Sequence, residues 1–486
     1  MKASNNVIVF SEAGKPIFYQ HGSEQDVARQ CALFQSIRTA VNGNKSLGEI
    51  HSIHSKELLI VFMTVGSITL VSISSLEKES KVMETTVFAR IRLETVYSQL
   101  IFTLTDQVQT ILKTDPSFDL GTTLSASNNL LHGILDESDL GMGNPGPFLV
   151  GSVQTVFPIS KRLRDKASRT LQDIGGAIPN MAFAILLVGD KLLTIVQSPF
   201  RRHQMRVSDL QLVINFIRKQ SNHSSSELLV PMCLPRFNSS GFLYSYIKCI
   251  DTTSKLCLVF ISSHNTTEQF QLFRKASVRI QEELALRADL SVTTERRKGS
   301  DVVAWERHDD SLDEEYVTID YERQPESLLL EEIRESYELS SYAVLAERYF
   351  EEEEEPLLHF LFRVDIPIEA SSRHLSSEGK GELSQCISPT LPTAFSDEVS
   401  RRRLFAMYQK LCLRLRLGCA TEESSMDALD MISNDSVTNI DQGFPSISKS
   451  CPSMGLAESP PNIHGVTYTA EDNKIFLAMN GRGFEL

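Results

Sequence analysis

Two separate stretches of the chain repeat one order of predicted secondary structure, and this repetition limits the possible folds more than any other feature. In residues 6–112, two apolar runs (VIVF and PIFY) joined by SEAGK predict a β-hairpin, followed by a helix, three strands and a long helical region. Residues 182–287 predict the same order, ending in one helix. Strands joined by short turns pair antiparallel and need helices to cover their apolar faces. The order β-β-α-β-β-β-α-α therefore predicts an α+β fold, an antiparallel sheet flanked by helices.

The first helix has a clear start, apolar face and end. Ser23, with Asp26 three residues later, is typical of a helix N-terminus, and Asn42-Gly43 predicts its end. Apolar side chains recur between these points at helical spacing, at Val27, Cys31, Phe34, Ile37 and Val41. The other face is polar and is expected to be exposed. The later helical region, residues 77–112, is predicted to break near Thr105.

The chain divides into five segments by composition and predicted elements. They are a first domain (5–115), a connector (116–146), a second domain (147–288), an acidic linker or insertion (289–356) and a third domain (357–486). The third domain combines a strand at 356–363, a basic amphipathic helix at 398–417, a polar loop at 420–461 and a hairpin from residue 465. A complete repeat would need a further strand and a final helix after that hairpin, so the third domain is expected to be C-terminally incomplete.

Negative charge is concentrated in one segment. The formal net charge is −14, but residues 301–355 contain 20 acidic residues against 4 arginines, a net of −16, so the rest of the chain is nearly neutral. Such a run is typical of a solvated linker. Its deletion is expected to leave partner binding intact.

The chain lacks the motifs of the common catalytic and metal sites. Gly14-Lys15 has no glycine five residues upstream and is followed by Pro16, so it fails the phosphate-loop pattern, and no HExxH or GxSxG motif occurs. The 8 cysteines form no CxxC pair. Cys249 and Cys257 flank a predicted hairpin turn and are interpreted as facing thiols rather than a metal site. No catalytic residue, cofactor or metal is predicted.

No apolar run approaches the roughly 20 residues needed to cross a bilayer, and no apolar leader precedes the first strand. A cytosolic protein is expected. Two basic clusters, KRLRDK and RRHQMR, could contact anionic lipid headgroups or could be solvated faces, as could the arginines at 401–403. They lack interleaved aromatic residues, which disfavours nucleic acid as a partner. The candidate lipid contacts are Lys161, Arg162, Arg164, Arg201, Arg202 and Arg206.

Several long motifs resemble one family. They are SEAGKPIFYQHG (11–22), HSKELLIVFMTVGSITLVSIS (54–74), TDPSFDL (114–120) and above all MCLPRFNSSGFLYSYI (232–247). The segments are similar to the vacuolar fusion proteins of the SAND type, the monensin-sensitivity family. The resemblance covers residues 5–290 well and 357–486 weakly. It implies three longin domains, which agrees with the repeated order of elements.

The resemblance also implies a function without covalent chemistry. Proteins of this family pair with a second tri-longin protein, the calcium-caffeine-zinc sensitivity partner, as a guanine-nucleotide exchange factor for a late-endosomal Rab GTPase. Such a factor binds the nucleotide-free GTPase more tightly than the loaded form. The implied setting is endosome maturation, vesicle-mediated transport, autophagy and vacuole or lysosome fusion, with peripheral recruitment to the late-endosomal or vacuolar membrane.

In the family, the first longin domain supplies part of the partner and GTPase surface. The resemblance therefore places candidate contacts on the first helix and the SEAGK hairpin, at Glu12, Lys15, Arg29, Gln30 and Ser36. A purely structural role for each remains an alternative.

Two other functional interpretations stay open from sequence. One is a longin scaffold or adaptor without exchange activity. The other is a related tri-longin protein of lysosome-related organelles or ciliary planar polarity, which should lack the LPRFNSSGFLYSY segment. The chain also departs from the family in starting its first strand by residue 6, so recruitment through a long N-terminal tail is not expected.

Overall fold

A computed structural model describes most of the two repeated regions and parts of the remainder. The described residues are 5–43, 49–75, 84–141, 143–156, 159, 161–198, 204–220, 227–285, 330, 333–334, 357–370, 382–388, 391, 395–416, 463–471 and 474–481.

The first unit is a five-stranded antiparallel sheet with helices on both faces. Its strands lie in the order β2-β1-β5-β4-β3. Its elements are β1 (Asn6–Ser11), β2 (Pro16–Tyr19), α1 (Glu24–Asn42), β3 (Ser52–His54), β4 (Leu58–Val65), β5 (Ile68–Ser75), α2 (Thr86–Leu104) and α3 (Gln107–Thr114). The predicted hairpin, first helix and order of strands are confirmed, although β3 is shorter than the pattern predicts.

The helical region breaks where the sequence predicts. Thr105 follows α2 with φ 61°, a left-handed conformation that a threonine adopts only when its surroundings hold it there. The residue is buried, and its N–H still bonds to the carbonyl of Ile101 at 2.8 Å. The chain can therefore turn sharply between α2 and α3 without leaving this N–H unpaired.

The second unit repeats the first. Its elements are α7 (Lys161–Gly175), β7 (Met181–Val188), β8 (Lys191–Gln197), α8 (Val207–Lys219), β9 (Leu228–Leu234), α9 (Pro235–Asn238), β10 (Ser239–Asp251), β11 (Leu256–Ser262) and α10 (Thr267–Ala285). The order β8-β7-β11-β10-β9 matches β2-β1-β5-β4-β3 strand for strand. The predicted repeat is confirmed as a topological one. Helix α7 precedes the repeated elements and is an addition that the strand pattern does not predict.

The chain after the first unit contains α4 (Leu120–Leu124), α5 (Asn128–Ser138) and α6 (Gly146–Leu149). Helix α5 lies between the first two sheets, whereas Leu149 of α6 belongs to a separate apolar cluster. Helix α5 packs against α2 and α8, and its Leu131 and Ile134 belong to one continuous apolar cluster with side chains of both sheets, such as Val61 and Ile185. The first two units therefore share a core, and the connector is part of it.

The third unit is a smaller sheet whose strands follow the same spatial order. Its elements are β12 (Leu357–Pro367), β13 (Glu369–Ala370), β14 (Glu382–Ile387), α11 (Glu398–Arg416), β15 (Ile463–Glu471) and β16 (Lys474–Gly481). The order β14-β12-β16-β15 corresponds to the second, first, fifth and fourth strands of the repeat. The prediction that a further strand is needed after the hairpin is wrong, because β16 already occupies the last strand position beside β12. The remaining strand position falls between α11 and β15, outside the described residues.

Short strands are exchanged between the second and third units. Strand β6 (Val153–Gln154), which precedes the second unit, pairs in parallel with β14 of the third sheet. In return, β13 pairs in parallel with β8 at the edge of the second sheet. Thr155 also bridges to Leu192 of β8, so the chain around β6 contacts both sheets. Each added strand covers a sheet edge that would otherwise be open.

Part of the acidic segment is anchored to the second unit. Ile333 is fully buried among side chains of α7 and α10, and Leu330 packs against the same cluster. Arg334 donates two hydrogen bonds to the carboxylate of Asp251, at 2.6 and 3.1 Å. Residues 289–356 are predicted to be an acidic linker or insertion, and at these positions an apolar side chain and a salt bridge attach the segment to the second unit.

Removing either anchor should destabilise the second unit. Ile333→Ala leaves a cavity and is expected to lower the free energy of unfolding by about 2–5 kcal/mol. Arg334→Ala is expected to lower the free energy of unfolding by about 1–3 kcal/mol at neutral pH, because the change removes a bidentate pair of charged hydrogen bonds. Urea denaturation should show both shifts. Lys275→Ala, on the exposed face of α10, serves as the control and should change the value by less than about 0.5 kcal/mol.

The effect of Arg334 should depend on pH. Its hydrogen bonds hold the pKa of Asp251 well below the usual range. The folded state thus keeps this carboxylate charged where the unfolded chain, with a pKa of about 3.9, takes up a proton. The stabilisation is complete above that pH and is lost as the pH falls further. The difference between wild type and Arg334→Ala should narrow below about pH 4, and a constant difference would contradict the assigned pair.

Candidate functional site

Helix α1 presents a fixed outer face. The hydroxyl of Ser23 accepts a hydrogen bond from the backbone N–H of Asp26 at 3.2 Å, as the sequence predicts for a cap. Val27, Cys31 and Phe34 are buried against one face of the first sheet, and the rings of Phe34 and Phe62 meet edge to face at 5.7 Å. Burial raises the pKa of the Cys31 thiol to about 11. The inner contacts set the rotation of the helix and therefore which residues face outward.

The predicted helix residues lie on this outer face. Arg29, Gln30 and Ser36 are exposed. Arg29 forms only a solvent-exposed ion pair with Asp26 at 3.1 Å, a kind of contact worth about 0–1 kcal/mol. The hydroxyl of Ser36 donates to the carbonyl of Ala32 at 2.8 Å. None of these contacts would prevent a partner from docking on the helix.

Leu33 lies on the same face and is 57% exposed, the largest exposed fraction among the large apolar side chains described. Sequence reasoning did not select it. The available signal was its position, since Leu33 falls outside the apolar stripe that runs through Cys31 and Phe34. Its side chain is therefore available on the outer face of α1, beside Arg29 and Gln30.

The hairpin residues do not join this helix face. Glu12 is exposed at the turn, and its backbone N–H donates to the carbonyl of Ser67. Lys15 lies 3.6 Å from Asp119 and donates to the carbonyl of Ser117 at 3.4 Å, in the loop before α4. Helix α4 covers the sheet face opposite to α1. The structure therefore separates Lys15 from the α1 residues.

The basic clusters are only partly described. Arg164 of α7 points inward, because its guanidinium donates to the carbonyls of Val156 and Leu193 and to the hydroxyl of Thr155. Burial lowers its pKa. This engagement argues against the predicted lipid contact at Arg164. Arg206 is exposed just before α8. The side chains of Lys161 and Arg162, together with all of Arg201 and Arg202, lie outside the described residues.

The LPRF part of the longest motif forms a structural junction. Pro235 begins α9, a single helical turn whose first N–H groups need acceptors. The fully buried carboxylate of Asp209, on α8, accepts from the backbone N–H of Arg236 at 3.1 Å and of Phe237 at 2.9 Å. The Phe237 ring then packs edge to face on Phe183 of β7. The motif thus ties α8 to the second sheet.

The next part of the motif reaches the first unit. The hydroxyl of Ser239 donates to the Asp106 carboxylate at 2.8 Å, and the Asp106 N–H donates to the Ser239 carbonyl at 2.9 Å. Asp106 directly follows the left-handed Thr105. The break between α2 and α3 therefore places a reciprocal pair of hydrogen bonds at the boundary of the two units.

A second buried contact crosses the same boundary. The side-chain amide of Asn215, on α8, donates to the side chain of Gln99 on α2 and to the carbonyl of Leu130 on α5, both at 2.8 Å. Buried amide groups are costly unless they are hydrogen-bonded, so these bonds favour one relative placement of the three helices.

A cavity of about 90 Å³ lies beside this junction. Arg218 and Lys191 line it together with Glu137 and Asp190, and Arg218 forms an ion pair with Glu137. Burial lowers the pKa of both Lys191 and Arg218. Two cations facing two anions do not select a ligand by net charge. Among the described residues, no group of three or more His, Cys, Asp or Glu side chains could hold a metal ion. In that same part of the chain, each helix is too short or too polar to span a bilayer.

Family models match both repeated units. Residues 5–134 match the first longin domain of FUZ, MON1 and HPS1, and residues 179–281 match the second longin domain of the same three proteins. With the α+β sheets described above, these matches identify the two repeated units as longin domains of the kind found in FUZ, MON1 and HPS1.

The chain is also similar to Protein SAND and to the MON1 vacuolar fusion proteins. It is 31% identical over 261 residues to Protein SAND of Takifugu rubripes, covering 53% of this chain and 46% of that protein. It is 28% identical over 284 residues to MON1 homolog A of Gallus gallus, covering 58% and 48%, and 29% identical over 295 residues to the MON1 homolog of Oryza sativa subsp. japonica, covering 61% and 48%. The chain thus spans about half the length of the curated relatives it matches.

The Asp209 junction can be tested by removing its charge. Asp209→Asn should lower the free energy of unfolding by about 1–3 kcal/mol, because an amide is a weaker acceptor and its NH₂ group cannot replace the second bond. Urea denaturation measures the change. Glu282→Gln, on the exposed face of α10, is the matched control and should change the value by less than about 0.5 kcal/mol. Equal shifts for the two variants would show that Asp209 does not act as a cap.

Proposed function

We propose that this chain acts in membrane traffic at the vacuole or lysosome, as one subunit of a heterodimeric guanine-nucleotide exchange factor for a late-endosomal Rab GTPase. Its similarity to proteins named for vacuolar fusion supports the setting. The exposed outer face of α1, with Leu33 at its centre, is the observation that carries the role as a docking subunit. The proposed partners are the calcium-caffeine-zinc sensitivity protein and the GTPase.

The mechanism needs no bond-making residue in this chain. An exchange factor accelerates nucleotide release by binding the nucleotide-free GTPase more tightly than the loaded form, and the acceleration is limited by that difference in affinity. What the chain must supply is a rigid surface. The shared core and the hydrogen bonds of Asp106 and Asn215 would hold the first unit in one orientation while α1 contacts the partner or the GTPase.

The exchange assay separates this proposal from a scaffold function. The chain would be co-expressed with the second tri-longin protein of the same organism, and release of a fluorescent guanine nucleotide from the late-endosomal Rab would be followed. A stable complex that accelerates release supports the exchange-factor role. A stable complex that leaves release at the intrinsic rate supports the scaffold, and no complex at all contradicts both.

The role of α1 is tested by placing a charged side chain at its exposed apolar residue. Leu33→Glu should weaken the complex at least about tenfold, because a charge at a central apolar contact costs about 2 kcal/mol or more and about 1.4 kcal/mol corresponds to a factor of ten. Leu272→Glu, on α10 and 38% exposed, is the matched control and should bind as wild type. Affinity is measured on purified proteins whose circular dichroism shows that both variants are folded. Equal binding by Leu33→Glu and wild type would remove α1 from the interface.

We also propose peripheral recruitment to an anionic membrane surface through the second basic cluster. Each basic residue near such a surface contributes about 1 kcal/mol. Reversing Arg201 and Arg206 to Glu should therefore weaken sedimentation with anionic vesicles at least about tenfold, whereas Lys275→Glu with Arg279→Glu changes the net charge equally and should have little effect. Equal losses in the two double variants would show a response to net charge alone.

A further inference from the structure

The hairpin of β10 and β11 places two thiols side by side. Cys249 and Cys257 are directly opposite residues in the antiparallel register, and both are free. Opposite residues in antiparallel strands have Cα atoms about 4.5 or 5.5 Å apart, and disulfides join Cα atoms about 4.4–6.8 Å apart. The two thiols also lie within hydrogen-bonding contact of each other. The backbone is thus already arranged for a bond between the two sulfurs.

The two thiols differ in exposure and acidity. Cys249 is partly exposed, whereas Cys257 is only 2% exposed and belongs to the shared core. The hydrogen bond from Cys257 lowers the pKa of Cys249, and the same interaction, together with burial, raises the pKa of Cys257. A thiolate attacks an oxidant and a neighbouring thiol then resolves the product, so Cys249 fits the first role and Cys257 the second.

We propose that Cys249 and Cys257 are a peroxide-responsive pair that forms a reversible cross-strand disulfide. The Cys249 thiolate attacks one oxygen of hydrogen peroxide, breaking the O–O bond, and leaves a sulfenic acid on Cys249 and a hydroxide ion. The Cys257 sulfur then attacks the sulfenic sulfur. An S–S bond forms, the S–OH bond breaks, and the proton of Cys257 leaves with the hydroxyl group as water. Two thiols are oxidised by two electrons, and one peroxide is reduced to two waters.

The remaining described thiols are poor competitors. Cys31, Cys233, Cys386 and Cys412 are buried. Burial raises the pKa of Cys31 to about 11 and those of Cys233 and Cys386 to about 12, so little thiolate is present at neutral pH. Cys419 and Cys451 lie outside the described residues and are replaced by Ser in the test protein.

The bond would act on the anchor of the acidic segment. The Cys249 thiol donates to the carbonyl of Asp251 at 3.4 Å, and Asp251 is the residue that holds Arg334. Forming the disulfide consumes the S–H group of Cys249, so oxidation removes its hydrogen bond to Asp251, the residue that binds Arg334.

Peptide mapping tests the proposal directly. Lys248, Lys255 and Arg274 are trypsin sites, so residues 249–255 and 256–274 are released as separate peptides, each with one cysteine. After hydrogen peroxide and blocking of free thiols, the two peptides should appear as one species lighter by two hydrogen atoms than their sum, and dithiothreitol should separate them. The oxidised protein should also melt several degrees higher than the reduced protein.

Single variants identify the two roles. Cys257→Ser, which keeps a hydroxyl donor beside Cys249 but cannot form a disulfide, should retain a sulfenic acid at Cys249 that reacts with dimedone, whereas Cys249→Ala should leave Cys257 unmodified. Cys233→Ala, another buried thiol in the same core, is the control and should keep the cross-linked species. The proposal is overturned if the folded wild-type protein yields sulfinic acid at Cys249 without the cross-link, or if Cys249 joins a different cysteine.

Discussion

The architecture depends on one apolar layer that two sheets share. Helices α2, α5 and α8 pack between the first and second sheets, and their side chains merge with those of both into a single cluster. A longin unit taken alone would expose that face, and burying apolar surface is the main favourable term in folding, at roughly 25 cal/mol per Å². Each unit is thus half of a common core. The apolar core supplies most of the stabilisation. The hydrogen bonds of Asn215 and Asp106 at the boundary favour one relative orientation of the two units.

The shared layer also decides what is left for other proteins. One face of the first sheet is committed to the second unit. Among the described helices, α1 covers the other face, and its outer side carries Leu33, Arg29 and Ser36 toward solvent. Inside the unit, Arg92 pairs with Glu84 and reaches Ser72 on β5, which fixes α2 on the sheet. Burial raises the pKa of Glu84 against the opposing effect of Arg92. The domain is rigid behind the helix that faces outward.

Local patterns predicted the elements that bury one face or turn tightly. The hairpin of β1 and β2, the cap at Ser23, the break at Thr105 and the repeated strand order follow from alternation, capping and spacing, all of which act over a few residues. Helix α5 is not among the predicted elements, although Leu130, Leu131, Ile134 and Leu135 recur at helical spacing. Strands β6 and β13 have two residues each, too few for any periodicity. The anchors at Ile333 and Arg334 lie within a run of acidic residues that resembles a linker, and only their contacts with distant residues reveal them.

For the candidate site, the family resemblance predicted exposed positions on α1. It did not predict the exposure of Leu33 or the separation of Lys15 from the α1 residues.

Because β6 and β13 pair with strands that are distant in sequence, the edges that they cover stay open until late in synthesis. Strand β8 ends at residue 197, but β13, which covers its edge, is formed by residues 369–370. Likewise, β6 at residues 153–154 pairs with β14, which is formed by residues 382–387. On the ribosome, the second sheet must therefore exist with an open edge until a long stretch of later chain has emerged. Open strand edges pair readily with other chains. Nascent chains of this protein would then be most exposed to misassembly during that interval, and the acidic residues translated within it would keep neighbouring nascent chains apart through like-charge repulsion.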